Sequence, residues 1–145
     1  MSFNKPDYQD ADLVLKLYEL RREAVMRQSR DTLNQKFWPR SYDDLAALAD
    51  PQHPMNAAWR QVSTYWEMVF SFSRNGIINP DFLAESSGEG LLLYAKIHEY
   101  LPQYRREMNA PFLMQSAEWL VGNSRAAQQR FEMMKARIQK HLQKA

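Results

Sequence analysis

Residues 56–75 read NAAWRQVSTYWEMVFSFSRN. Laid out at 100° per residue, Trp59, Val62, Tyr65, Trp66, Met68, Val69, Phe70 and Phe72 cover roughly 200° of a helix surface. Asn56, Arg60, Ser63, Thr64, Glu67, Ser71 and Arg74 fill the narrower remainder. A helix so widely apolar belongs at the centre of a bundle, because both of its flanks need cover from water. Gly76 follows directly, where a left-handed residue closes a helix C-terminus.

Working upstream, the periodicity predicts one long helix from about Asp10 to about Leu33. Asp7, Asp10 and Asp12 cluster at its start, where carboxylates meet free N–H groups. Leu13, Leu17, Leu20 and Ala24 form its stripe, widened by Val14, Tyr18 and Val25, while Asp12→Lys16 and Glu23→Arg27 are i,i+4 pairs on the outer side. Phe37-Trp38-Pro39 breaks the chain, and Ser41 can cap a short helix from Tyr42 to about Ala49. Downstream, Asn79-Pro80 is a cap followed by proline at the first helical position, opening a short helix to about Glu85. Another helix runs from Glu89 to about Met108, with Lys96, Glu99 and Gln103 marking its wet side. Pro102 cannot donate to the carbonyl of His98 and should kink or split that helix. Pro111 opens a further helix ending near Gly122. Ser124 caps the last, which carries the stripe Ala127, Phe131, Met134, Ile138 and Leu142. The expectation is an all-α single domain over residues 1–145: a helical bundle of about five long and two short helices, with residues 1–9 as a flexible N-terminal tail.

The chain has no cysteine, which removes disulfides, thiolate metal sites and a cysteine nucleophile together. Its longest apolar run, Leu91 to Ala95, is far below the ~20 residues of a membrane helix. The N-terminus lacks the basic-then-apolar order of a secretory signal. These features point to a cytoplasmic protein with no membrane contact. The net charge of +2 is uneven: residues 124–145 carry six basic and one acidic side chain. Arg130, Arg137, Lys140 and Lys144 form a basic face there. Charge runs of this kind are usually solvated helix faces, so that face reads as solvated rather than as a nucleic-acid surface.

No catalytic motif emerges, and neither a metal nor a cofactor is expected. His98-Glu99 opens like a zincin motif, but Pro102 stands where the second histidine belongs. His98 instead reads as a hydrogen-bonded core histidine. Asp50-Pro51-Gln52-His53 has a di-iron-like spacing yet sits between prolines in a loop, and His141 falls near a fraying helix end. Gly88-Glu89-Gly90 is a turn before a helix rather than a phosphate loop. Arg21 lies between two apolar stripes, so its guanidinium is expected to be partly buried against a carboxylate, with Glu67, Glu89 and Glu118 as candidates. An internal ion pair is the plainer account. The alternative is a small-molecule or anion pocket near Arg21, His98 and Pro102. Met26, Met68 and Met133 fall toward polar sectors of their helices, and exposed methionine beside aromatic residues can mark a partner surface or a homodimer seam.

Several blocks together carry a family resemblance: Lys16 through Arg27 (KLYELRREAVMR), Phe37-Trp38-Pro39, Asn56 through Met68, Asn75-Gly76, Ala95-Lys96-Ile97 and Pro111-Phe112. From about residue 12 to about residue 140 the chain resembles an uncharacterised bacterial family of small all-helical proteins, a domain of unknown function. The resemblance implies a helical fold and a bacterial origin, and it assigns no activity and no site residue. The functional expectation is therefore a non-enzymatic helical domain acting through contact with another protein or with a second copy of itself. The pocket near Arg21 is the runner-up, and nucleic-acid binding through the basic C-terminal helix is third.

Overall fold

The computed structural model describes residues 3–144, and among these the fold is all-α, with no strand. In chain order the helices are α1 (Tyr8–Arg21), α2 (Ala24–Lys36), α3 (Tyr42–Ala46), α4 (Asn56–Arg74), α5 (Pro80–Glu85), α6 (Gly88–Ile97), α7 (Leu101–Glu107), α8 (Gln115–Asn123) and α9 (Arg125–Gln143). Of the expected N-terminal tail, residues 1 and 2 lie outside the described residues. Asp7 caps α1 in a reciprocal box with Asp10, and Asn79 donates to the Asn4 carbonyl at 2.7 Å.

Helix α4 is the central element. Trp66, Val69 and Phe70 have almost no exposed surface, and α2, α6 and α8 pack around this helix and its neighbours. Asn56, assigned to the polar arc, and Ser73 are buried because each answers a carbonyl outside the helix: Asn56 donates to Leu48 at 2.6 Å and Ser73 to Ile78 at 2.9 Å. Helix α6 reaches the α4 side chains through Gly90. A Cβ on Gly90 would lie 2.4 Å from the Trp66 ring and 2.7 Å from Phe70, so only glycine lets the α6 backbone rest on those rings. The locally signalled ends fall where the sequence put them. Gly76 adopts φ +77°, the Asn79 side chain accepts from Phe82 N, and Ser41 and Ser124 cap α3 and α9.

Three of the expected helices differ. The segment 10–33 is two helices, because Glu23 leaves helical geometry and its carboxylate accepts from Val25 N at 3.1 Å and Met26 N at 2.9 Å. Arg30 reaches back to the Arg21 carbonyl at 2.9 Å, satisfying an acceptor at the end of α1. The proposed stripe therefore divides: Leu17 is buried, while Tyr18, Leu20 and Val25 stand at the surface. The helix around Pro102 splits at a 3₁₀ turn, His98–Tyr100, leaving Pro102 in the first turn of α7, where its missing N–H costs nothing. The helix after Pro111 starts only at Gln115, because Met114 takes a left-handed conformation (φ 56°) and turns the chain.

Trp66→Ala should lower stability by about 3–5 kcal/mol in denaturant unfolding, the cost of a large core ring. Gly90→Ala should also destabilise, although alanine favours a helix by about 1 kcal/mol over glycine. An unchanged midpoint for either would show that α6 does not rest on Trp66.

Candidate functional site

Arg21 is buried as expected, but no carboxylate among the described residues pairs with it. Its Nη1 donates to the Ser86 carbonyl at 3.3 Å, and its guanidinium lies 5.0 Å from the Trp66 ring centre and 5.2 Å from that of Tyr18. The three carboxylates named as partners are engaged elsewhere. Glu89 takes Arg30 in a two-pronged pair at 2.7 and 2.8 Å, and Glu118 meets Arg105 at 3.2 Å. Glu67 accepts from Ser116 N at 2.9 Å and from the Ser116 hydroxyl, closing the first turn of α8. Arg21 is thus an aromatic- and carbonyl-bound cation at the junction of α1 with the loop before α6.

His98 lies in a different part of the molecule. It is half-buried, edge-on to Phe131 at 5.0 Å, and its side chain has no hydrogen-bond partner in the protein among the described residues. Burial holds its imidazole below the ordinary range, and nearby Lys135 pushes the same way. It lines a cleft of about 120 Å³ together with Pro39, Lys96, Tyr100, Lys135 and Leu142. Neither Arg21 nor Pro102 contributes to that cleft, so the expected common pocket of Arg21, His98 and Pro102 is not assembled.

The residue that sequence reasoning missed is Lys96. Placed on the wet side of its helix, it is only 5% exposed. Its Nζ donates to the Leu33 carbonyl at 3.3 Å, near the C-terminal end of α2, and lies 3.9 Å from the Trp38 ring centre. A cation there is favoured by the helix dipole and by the ring. Desolvation outweighs both and lowers Lys96 from 10.5 to about 8, against a smaller opposing pull from Glu89. Trp38 is in turn fixed by its Nε1 donating to the Asn34 carbonyl at 3.1 Å and by His141 stacked on it at 3.7 Å. His141 is therefore held rather than frayed. The only local signal for this cluster was the tryptophan before Pro39, and the contacts themselves join segments some sixty to one hundred residues apart.

The methionine signal resolves into one feature. Met26 is buried and Met68 is 39% exposed, and both line a groove of about 440 Å³ with Leu20, Tyr65, Gln61 and Thr64 between α1, α2 and α4. Met133 is exposed on α9 and takes no part in it. On the basic face, Arg137, Lys140 and Lys144 are exposed and Arg130 is half-buried. His53 accepts from Met55 N at 3.0 Å within its loop. No cluster of three or more histidine or acidic side chains able to hold a metal occurs among the described residues. Nor is any helix there long and apolar enough to cross a membrane.

A family model described as "Domain of unknown function (DUF4760)" matches residues 6–124. Comparison with curated proteins and with solved structures gave no match.

Lys96 sets a pH dependence. Between about 8 and 10.5 the unfolded chain binds the proton that the folded chain has released, so unfolding free energy rises with pH across that window. The full rise is about 3 kcal/mol. Tyr65 and Tyr94, pushed up to about 12 by burial, act in the opposite sense above pH 10. Urea midpoints between pH 8 and 9.5 should therefore increase for the natural chain and stay flat for Lys96→Met. Parallel curves would show that Lys96 is not the group responsible.

Proposed function

We propose a docking role for this chain, which belongs to the family described as a domain of unknown function (DUF4760). It works without catalysis, by receiving apolar side chains of a protein partner in the groove between α1, α2 and α4. The observation that carries this reading is the meeting of Leu20, Met26, Tyr65 and Met68 in one groove of about 440 Å³. Thioether side chains adapt to whatever fills such a groove, and an open apolar surface of this kind marks a contact site.

The partner we propose is a second copy of the chain. Helix α1 bears an outward apolar row, Tyr8 (94% exposed), Leu15 and Tyr18, recurring at seven and three residues. Each copy thus supplies both a groove and a row to fill one, the reciprocity that a two-fold dimer needs. A cytoplasmic setting is part of the same proposal.

Sedimentation velocity at high micromolar concentration should give a dimer, and Leu20→Glu combined with Met68→Glu should return a monomer with an unchanged denaturant midpoint. Both side chains are already in contact with water, so the pair should change stability by no more than about 1 kcal/mol. A stable dimer should bury more than about 1,000 Å² in total. A monomeric natural chain, or a dimer indifferent to both charges, would remove the second copy as the partner.

A further inference from the structure

The environment of Lys96 is out of proportion to a structural cation. An ammonium offers three N–H donors, and here one carbonyl, Leu33 at 3.3 Å, answers them. The carboxylate whose field reaches it, Glu89, is already committed to Arg30 through two short bonds. Buried charges are ordinarily paired. Lys96 has an aromatic ring at 3.9 Å and no ion-pair partner among the described residues. It also lines the cleft between the α6–α7 turn and α9, so this residue borders open space as well as core. Desolvation, the dominant influence on it, favours the neutral amine, the form that acts as a nucleophile.

We propose that Lys96 is a covalent binding site for small carbonyl compounds, which enter the cleft bordered by His98, Tyr100 and Lys135 and condense with its Nζ. The neutral amine adds to the carbonyl carbon of an aldehyde or ketone, forming a C–N bond while the carbonyl oxygen takes up a proton. Loss of that oxygen as water then leaves a C=N bond. One water is released for each imine formed, and nothing is oxidised or reduced. His98 lines the same cleft, and its burial favours the neutral imidazole at neutral pH, so it can pass the proton between nitrogen and oxygen. A volume of about 120 Å³ admits a compound of a few heavy atoms and excludes a cofactor-sized aldehyde.

The test uses the intact chain with glycolaldehyde and cyanoborohydride at pH 7, followed by peptide mapping. Cyanoborohydride traps each imine as a stable secondary amine, and Lys5, Lys16, Lys36, Lys140 and Lys144, all exposed, serve as internal references. Lys96 should be alkylated at least about tenfold faster than these, as expected for a desolvated amine. Labelling of Lys96 at or below the rate of the exposed lysines overturns the proposal. Gln139→Trp, which places a ring in the cleft, should slow labelling of Lys96 at least about tenfold and leave Lys16 unchanged. Equal labelling of Lys96 in both chains would show that carbonyl compounds do not reach it through the cleft, and would overturn the site as described.

Discussion

Trp66 meets two groups that restrict everything around it. The α6 backbone lies so close that a single methyl at Gly90 would collide with its ring, and the Arg21 guanidinium sits 5.0 Å from its centre. The first contact fixes the separation of α4 and α6, and the second ties the end of α1 to the same ring. Arg21 also donates to Ser86, immediately upstream of α6, and its own carbonyl accepts from Arg30, which grips Glu89 one residue before Gly90. The end of α1 and the start of α6 are thereby referred to one tryptophan. Lys96 is six residues beyond Gly90, about 9 Å along the helix axis, so its position under Trp38 follows from how α6 rests on α4.

Among the described residues two cations are buried, Arg21 and Lys96, and neither is paired there with a carboxylate. Arg21 uses aromatic faces and a carbonyl, and Lys96 does the same with a different ring and a different carbonyl. The two solutions are not equivalent. Guanidinium is weakly hydrated, planar and charged at any accessible pH, so losing water for an aromatic face costs it comparatively little. An ammonium is compact and strongly hydrated, and it can escape the desolvation cost by releasing its proton. The same kind of environment thus leaves Arg21 an inert anchor and gives Lys96 chemical character.

What could be read from the sequence was what neighbouring residues decide among themselves. The apolar arc of α4, the caps at Ser41, Asn79 and Ser124, and the turn at Gly76 depend on side chains within four positions of one another, and each lies where local rules put it. The break at Arg22–Glu23 escaped because glutamate is not among the favoured capping residues, and because Arg30 and Glu89, which hold the junction, are remote in sequence. Met114 escaped for the converse reason: an ordinary helix former is forced left-handed by the chain around it. Periodicity placed Arg21 correctly as buried, yet it could not choose its distant partners, since Trp66 lies on α4 and Ser86 in the loop before α6. Lys96 was misread by identity alone. A polar residue on an apolar helix suggests a wet side, and only the arrival of α2 and Trp38 above it makes that side dry.

The groove and the Lys96 cleft draw on different faces of the bundle and so are physically independent. The groove is framed by α1, α2 and α4, all fixed through Trp66 and its neighbours. One wall of the cleft is the last turns of α9, and that wall is held differently. It is attached to the rest through His141 stacked on Trp38, through Arg40 donating to the Leu142 carbonyl at 2.8 Å, and through the half-buried Ile138 and Leu142. Trp38 is shared between the two sides, touching Lys96 from α6 and His141 from α9. Any displacement of the α9 end therefore removes the stacked imidazole from Trp38 and widens the approach to Lys96, while the Trp66 contacts that set the bundle remain in place.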